Sequence, residues 1–235
     1  MNISGSVVLV TGANRGIGAE YVRQLGERGA AKIYAAARDP RTVQAAAGVE
    51  PIALDVTNHA QIEAAARHAT DVQIIINNAG IAVSQPLVGG DLSIARSEFE
   101  TNVFGTLDVA STFAPVLKAN GGGTILNALS AVAWLSFPGF ASYSATKSAA
   151  WSLTDGLRLE LKEQGTHVVG LLMGPVDTEL GAQFPLPDKV SPAQVVAAAL
   201  DGIESGVDEV LADELTKAVQ STLASGTSRY ATLLG

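Results

Sequence analysis

The sequence predicts an α/β fold, a single doubly wound parallel sheet with helices on both faces. Three observations predict it. Short, near-continuous apolar runs alternate with helical patterns along the 235 residues, the order that right-handed βαβ units produce. Those runs are too uniformly apolar for a sheet with one wet face, so they belong to parallel strands covered on both sides. A glycine-rich turn follows the first run directly, where a strand passes into a helix. In such a sheet, chemistry collects just beyond the carboxyl ends of the strands.

With 235 residues, of which 47% are hydrophobic, the chain supports one domain with a sizeable core. Fifteen Lys+Arg against 23 Asp+Glu give a formal net charge of −8, so a cationic footprint for nucleic acid or an anionic membrane is missing. The chain has no cysteine, which excludes disulfides and thiolate metal sites, and His59, His68 and His167 are too scattered to form a metal cluster. The start, MNISGSVVLVTG, enters an apolar strand without a basic leader or cleavage site, and no apolar run reaches membrane-spanning length. A cytoplasmic location is expected.

VVLV (7–10) is the first strand. TGANRGIG follows, with Gly12, Gly16 and Gly18 spaced G-x-x-x-G-x-G, and leads into the helical pattern IGAEYVRQLGERG. Glycine permits the tight turn, and a helix N-terminus offers unpaired N–H groups to a pyrophosphate. The spacing differs from the G-x-G-x-x-G dinucleotide fingerprint. KIYAAA (32–37) is the second strand and passes from Ala37 into Arg38 and Asp39; PIAL (51–54), the third, leads to Asp55 and Val56. VQIII (72–76), the fourth, runs into NNAG, Asn77 to Gly80, beside the first strand where the winding reverses. Asn102 follows in SEFETNVFGTL, a polar residue among apolar ones in a predicted helix. An unpaired buried amide costs about 1–3 kcal/mol, and water or Lys147 is its expected partner.

TILNAL (124–129) is the fifth strand and delivers Ser130 at its end, ordinarily a turn or cap position. Beyond it lies YSATK. On a helix Tyr143 and Lys147 share a face, within the nearly uncharged run WLSFPGFASYSATKSAAWSLTDGL. A cation there serves a phenol that must release its proton, by lowering the phenol's pKa; the plainer reading is a snorkelling lysine. HVVGLL (167–172), the sixth strand, leads to MGPVDTEL, a helix over SPAQVVAAALDGIESG, and VDEVLAD as a final edge strand.

TGANRGIG, NNAG, Asn102, Ser130 and YSATK stand in the order and at the approximate spacings of the short-chain dehydrogenases/reductases, which the chain resembles from residue 5 to about residue 212. The resemblance implies a Rossmann fold and hydride transfer between a nicotinamide and a carbonyl or alcohol carbon. It implies a catalytic tetrad of Asn102, Ser130, Tyr143 and Lys147. Lys147 then binds the nicotinamide ribose and lowers the Tyr143 pKa, and Tyr143 is general acid in reduction or general base in oxidation. Ser130 holds the reacting oxygen, and Asn102 anchors a water linking Lys147 to solvent. The implied cofactor contacts are Gly12, Asn14, Arg15, Gly16, Ile17 and Gly18 in the first turn, Asp55 and Val56, then Asn78, Ala79 and Gly80. Tyr143 and Lys147 join them, with Gly174, Val176 and Thr178 after the sixth strand.

NADP(H) is favoured. Relatives that prefer NAD place an acid where Ala37 stands, whereas Arg38 and Arg15 suit a 2′-phosphate. NAD(H) use is the alternative, with Arg38 a surface arginine paired to Asp39. Met173 stands where a proline is usual and implies a less rigid entry to its loop. Trp134, Phe137, Phe140, Leu180 and Phe184 are expected to line an apolar, rather open pocket for a lipophilic ketone or aldehyde.

The leading functional reading is an NADPH-dependent carbonyl reductase, and the alternative is a dinucleotide-binding sensor with little turnover. Sugar-nucleotide epimerisation fits less well, since no second substrate domain follows the sheet. The resemblance implies a homodimer through the helices carrying Asn102 and Tyr143; the family's TGxxxxxDGG ending is missing, which leaves a tetramer open. From residue 213 a tail carries Leu215, Ala218, Val219 and Leu223 at helical spacing, suited to docking on the body or on a partner.

Overall fold

In the computed structural model the apolar runs become strands β1 (Val7–Thr11), β2 (Lys32–Ala37), β3 (Val49–Ala53), β4 (Ile74–Asn77), β5 (Gly123–Ala128) and β6 (Thr166–Leu172). VDEVLAD supplies an edge strand, β7 (Glu209–Leu211). The structure describes residues 1–223 apart from 185 and 187. All seven strands pair in parallel, in the order β3-β2-β1-β4-β5-β6-β7. Winding reverses between β1 and β4, so a crevice opens beyond their carboxyl ends.

Alternate residues of each central strand feed opposite cores, as a two-residue period requires. Val8, Val10, Ile74 and Ile76 face α1 (Gly16–Glu27) and α6 (Pro192–Ser205), meeting Tyr21, Leu25, Val195 and Leu200. Leu9 and Ile75 face α2 (His59–His68), α4 (Gly105–Ala119) and α5 (Ala141–Leu161), meeting Ile62, Phe113, Leu117 and Leu157. Both faces are dry, which is why the strands read as unbroken apolar runs.

The helix expected through SEFETNVFGTL is not continuous. α3 (Leu92–Phe99) and α4 are joined by one π-helical turn, Glu100–Phe104, with Asn102 at its centre. Such a turn inserts a residue into the helical ladder and is characteristic of functional positions.

The tail docks in part. α7 (Glu214–Thr222) packs Leu215 and Val219 against Trp134, Trp151, Leu172 and Leu211. Ala218 and Leu223 face outward, and residues 224–235 lie outside the described residues. Asp213 fastens α7 to the body. Its buried carboxyl group accepts the Thr216 N–H at 2.8 Å and the Thr216 hydroxyl, and also the Gly174 N–H at 2.7 Å. Among the described residues, no helix is long and apolar enough to cross a membrane, and no cluster of acids and histidines could hold a metal ion.

Asp213→Ala strips these buried donors of their acceptor and should lower the unfolding free energy in urea by about 3 kcal/mol. Asp213→Asn keeps one acceptor oxygen and should lose about half as much.

Candidate active site

The crevice is sewn shut at its base by Thr11 and Asn78. The buried Thr11 Oγ1 accepts the N–H groups of Asn78 and Ala79, both at 3.0 Å, while Asn78 Nδ2 donates to the carbonyls of Thr11 (3.0 Å) and Gly12 (3.3 Å). Thr11 was not among the expected site residues, although it opens the glycine motif. Gly12 adopts φ 65°, and a Cβ on Gly18 would stand 2.0 Å from the Gly12 carbonyl oxygen. Only glycine lets α1 start this close to the turn. No side chain caps α1 at Arg15, so the first-turn N–H groups of Gly16, Ile17 and Gly18 suit an anion, with Asn14 half-buried beside them. This cradle fits a dinucleotide pyrophosphate.

The second strand ends on buried Ala37, and Arg38 is exposed with no carboxylate partner among the described residues. Asp39 instead grips Arg41 through two bonds of 2.9 Å, which corrects the alternative pairing of Arg38 with Asp39. Arg15 does not stand free beside Arg38. It pairs with Glu179 across the crevice mouth, both side chains being exposed, a contact of little energy. Asp55 uses one carboxylate oxygen on the Thr57 N–H (3.0 Å) and hydroxyl (2.8 Å). Val56 beside it is buried.

Helix α5 brings Tyr143 and Lys147 to one buried face, each only 7% exposed. Lys147 Nζ donates to the Ala128 carbonyl at 2.7 Å and lies 5.7 Å from the Tyr143 ring centroid. Burial lowers the Lys147 pKa to about 8. Burial likewise raises the Tyr143 phenol well above its ordinary value; a hydrogen bond with Ser130 opposes this and the charge of Glu98 adds to it. The expected lowering by Lys147 is therefore not found: the ammonium serves a main-chain carbonyl, and Tyr143 holds its proton. Ser130 is a turn cap as read, its hydroxyl accepting the Val132 N–H (3.3 Å); it also donates to the Met173 carbonyl (3.2 Å) and bonds the phenol.

Asn102 is buried but does not reach Lys147. Its Oδ1 accepts the Ile81 N–H at 2.9 Å, and its Nδ2 donates to the Ile81 carbonyl (2.8 Å) and to Thr146 Oγ1 (3.0 Å). Gly80 lies against both Asn102 and Lys147. Beneath the site runs a buried chain that joins Asn77 to two residues the sequence did not single out, Asn127 and Thr154. Asn77 Nδ2 donates to Asn127 Oδ1 (2.9 Å), Asn127 Nδ2 to Thr154 Oγ1 (3.0 Å), and Thr154 to the Ala150 carbonyl (2.7 Å). It ties α5 to β4 and β5.

Met173 does not loosen its loop. Its carbonyl accepts the Ala131 N–H at 2.9 Å as well as the Ser130 hydroxyl, and Asp213 holds Gly174. Val176 bridges to Val190 at the loop base, and Thr178 Oγ1 accepts the Gly181 N–H at 3.1 Å. Nor is the pocket open. Phe184 stacks on Phe140 with centroids 4.1 Å apart and lies 6.0 Å from both Phe137 and Tyr143, with Leu180, Ala82 and Val132 completing the cluster. Trp134 is not part of it. It packs edge-on against Trp151 at 6.1 Å beside α7, a core position.

The short chain dehydrogenase family matches residues 6–187. The chain belongs to that family. Carbonyl reductase [NADPH] 2 of Sus scrofa is 32% identical over 173 residues, 72% of this chain and 70% of that protein. A short chain dehydrogenase from Burkholderia cenocepacia J2315, solved in complex with NADP, is 40% identical with a TM-score of 0.95, each chain being fully covered. The bulky-bulky ketone specific alcohol dehydrogenase of Comamonas testosteroni is 26% identical, with 95% of each chain covered and a TM-score of 0.77. As a short chain dehydrogenase, this protein is a nicotinamide-dependent oxidoreductase of CH–OH or C=O groups.

The depressed Lys147 pKa carries a stability signature. Between about pH 8 and the ordinary value of 10.5, the unfolded chain holds a proton that the folded chain lacks, so stability rises with pH across that window. Lys147→Met removes this term. Its stability relative to the wild type should be most favourable near neutral pH and fall through the window, in urea unfolding of the cofactor-free protein.

Proposed function

We propose that the protein is an NADPH-dependent reductase of lipophilic ketones or aldehydes, working reversibly as an alcohol dehydrogenase. The observation that carries this reading is a buried, proton-holding Tyr143 phenol, bonded to Ser130 and covered by Phe137, Phe140 and Phe184. A proton donor under an apolar aromatic cover suits a carbonyl on a hydrophobic body. Tyr143 gives its proton to the carbonyl oxygen, Ser130 steadies that oxygen as charge develops, and the Lys147 ammonium offsets the phenolate left behind. The dinucleotide supplies the hydride when bound.

Gly12, Asn14, Gly16, Ile17 and Gly18 would hold its pyrophosphate, and Asp55 and Val56 its adenine. Asn78, Ala79 and Gly80 would wall the crevice, with Gly174, Val176 and Thr178 on the nicotinamide side. Arg38 takes the 2′-phosphate. Support comes from its lack of a carboxylate partner among the described residues beside Ala37, and from relatives named for NADPH or solved with NADP. Phe104 and Leu159, 53% and 78% exposed on the elements carrying Asn102 and Tyr143, support a homodimer through α4 and α5. A pure nucleotide sensor has no use for a phenol and an ammonium buried side by side.

NADPH consumption with aryl ketones, aliphatic ketones and aldehydes tests the activity; tight NADPH binding without turnover would favour the sensor instead. Tyr143→Phe should cut kcat by about 10²-fold or more while NADPH still binds, as fluorescence titration would show. Arg38→Asp should raise the Michaelis constant for NADPH about tenfold or more with little change for NADH; equal changes would refute the phosphate contact.

A further inference from the structure

Tyr143 and the Phe184 ring beside it are both buried, so a carbonyl reaches the phenol only if a side chain over it gives way. The rings of this cover are held very unequally. Phe140 stands at the N-terminal boundary of α5, three residues before Tyr143. Its N–H donates to the Phe137 carbonyl at 2.9 Å, and its own carbonyl accepts the Ser144 N–H at 2.8 Å and the Ser144 hydroxyl at 2.9 Å. That hydroxyl also accepts the Phe137 N–H at 3.3 Å. Phe137 and Phe140 are thus fastened to the helix that carries the phenol. Phe184 follows the short turn Gly181–Gln183, and its main-chain bonds stay within its own segment: its N–H donates to the Gly181 carbonyl at 3.1 Å and its carbonyl accepts the Leu186 N–H at 2.9 Å. Of the three rings it is the one that can leave without disturbing α5.

The place it occupies has a definite shape. Phe184 lies nearly parallel to Phe140, at 19° with centroids 4.1 Å apart, but is tilted by 58° and 60° to Phe137 and Tyr143. One flat face is therefore offered, and Phe140 offers it. We propose that the substrates are flat aryl ketones or aldehydes whose ring takes the place of Phe184 on the face of Phe140: Phe184 sets specificity by filling the substrate's position, and Phe140 by recognising what replaces it. This rests on Tyr143 being the proton donor of the proposed reductase. A carbonyl on such a ring, on one side, and the phenol oxygen, on the other, bridge the 6.0 Å between the Phe184 and Tyr143 centroids. An aryl ring restores the stack that Phe184 gives up, whereas a cyclohexyl group buries similar apolar surface and restores none of it. Ala82, Val132, Leu135 and Leu180 complete the cluster, which suits a ring without a charged substituent.

Benzamide and cyclohexanecarboxamide, unreactive analogues of the two kinds of ketone, test this without turnover. In ligand-observed NMR titrations with NADP⁺ present, the wild type should bind benzamide about fivefold more tightly than its saturated counterpart. Phe140→Leu should lose that preference, and Phe140→Tyr, which keeps a ring, should retain it; Phe140→Met is a second ringless protein should Phe140→Leu fold poorly. Phe184→Ala leaves the position vacant and should bind both amides about tenfold more tightly with their ratio unchanged, because affinity is no longer reduced by the fraction of molecules in which Phe184 is in place. Equal binding of the two amides by the wild type would overturn the inference, as would a Phe184→Ala protein that binds benzamide no better than the wild type. Acetophenone and cyclohexyl methyl ketone, run with NADPH, judge the reductase reading separately, since the amide titrations give their result whether or not either ketone is reduced.

Discussion

An ammonium and a phenol must be kept out of water, one helical turn apart, without either being neutralised by a direct carboxylate contact. That constraint governs the architecture around α5. A salt bridge would hold Lys147 more firmly but would commit its charge; the Ala128 carbonyl at 2.7 Å satisfies one donor and leaves the charge available. The carbonyl is free for this purpose because it faces β4, whose ladder with β5 ends at Asn77 and Asn127, and the next N–H along, that of Ala79, is taken by Thr11 Oγ1. The depressed pKa of about 8 measures what this choice costs the folded state.

On its polar side the pair is surrounded by groups that are themselves held by buried polar contacts rather than by apolar packing alone. The Asn77–Asn127–Thr154 chain fixes α5 from below, Thr146 connects it to Asn102, and Ser130 ties it to the loop after β6. Polar networks of this kind stabilise little in net terms but specify one arrangement, since any slip leaves a buried group unpaired. The aromatic cover works differently. The rings of Phe184 and Phe140 stack without hydrogen bonds, so that side of the site can repack at modest cost.

The sheet was legible because its signal is local and repeated: VVLV, KIYAAA and HVVGLL need no tertiary knowledge to be read as buried strands. The glycine turn and the residues Asn102, Ser130, Tyr143 and Lys147 stood out because several unusual residues fell in a familiar order. The misreadings share a cause. Trp134 was assigned to the pocket from its position after β5, yet its partner Trp151 comes from α5 and Val219 from α7, a packing no spacing reveals. Asp213 carried no signal either, since its partners Gly174 and Thr216 meet it only in the folded chain. The π turn left only one trace, the amide of Asn102 just before Val103 and Phe104, and an uninterrupted helical pattern concealed the rest. The pocket was judged open because loop length was visible in the sequence and the ring stack over it was not.

The bond from Asp213 to Gly174 spans 39 residues of chain, and its direction has a meaning for synthesis. A ribosome delivers the glycine turn, Ser130, Tyr143 and Lys147 well before the acceptor that holds the last wall of the crevice. A nascent chain can therefore complete its sheet through β6 before the carboxyl group that holds the Gly174 N–H has been made.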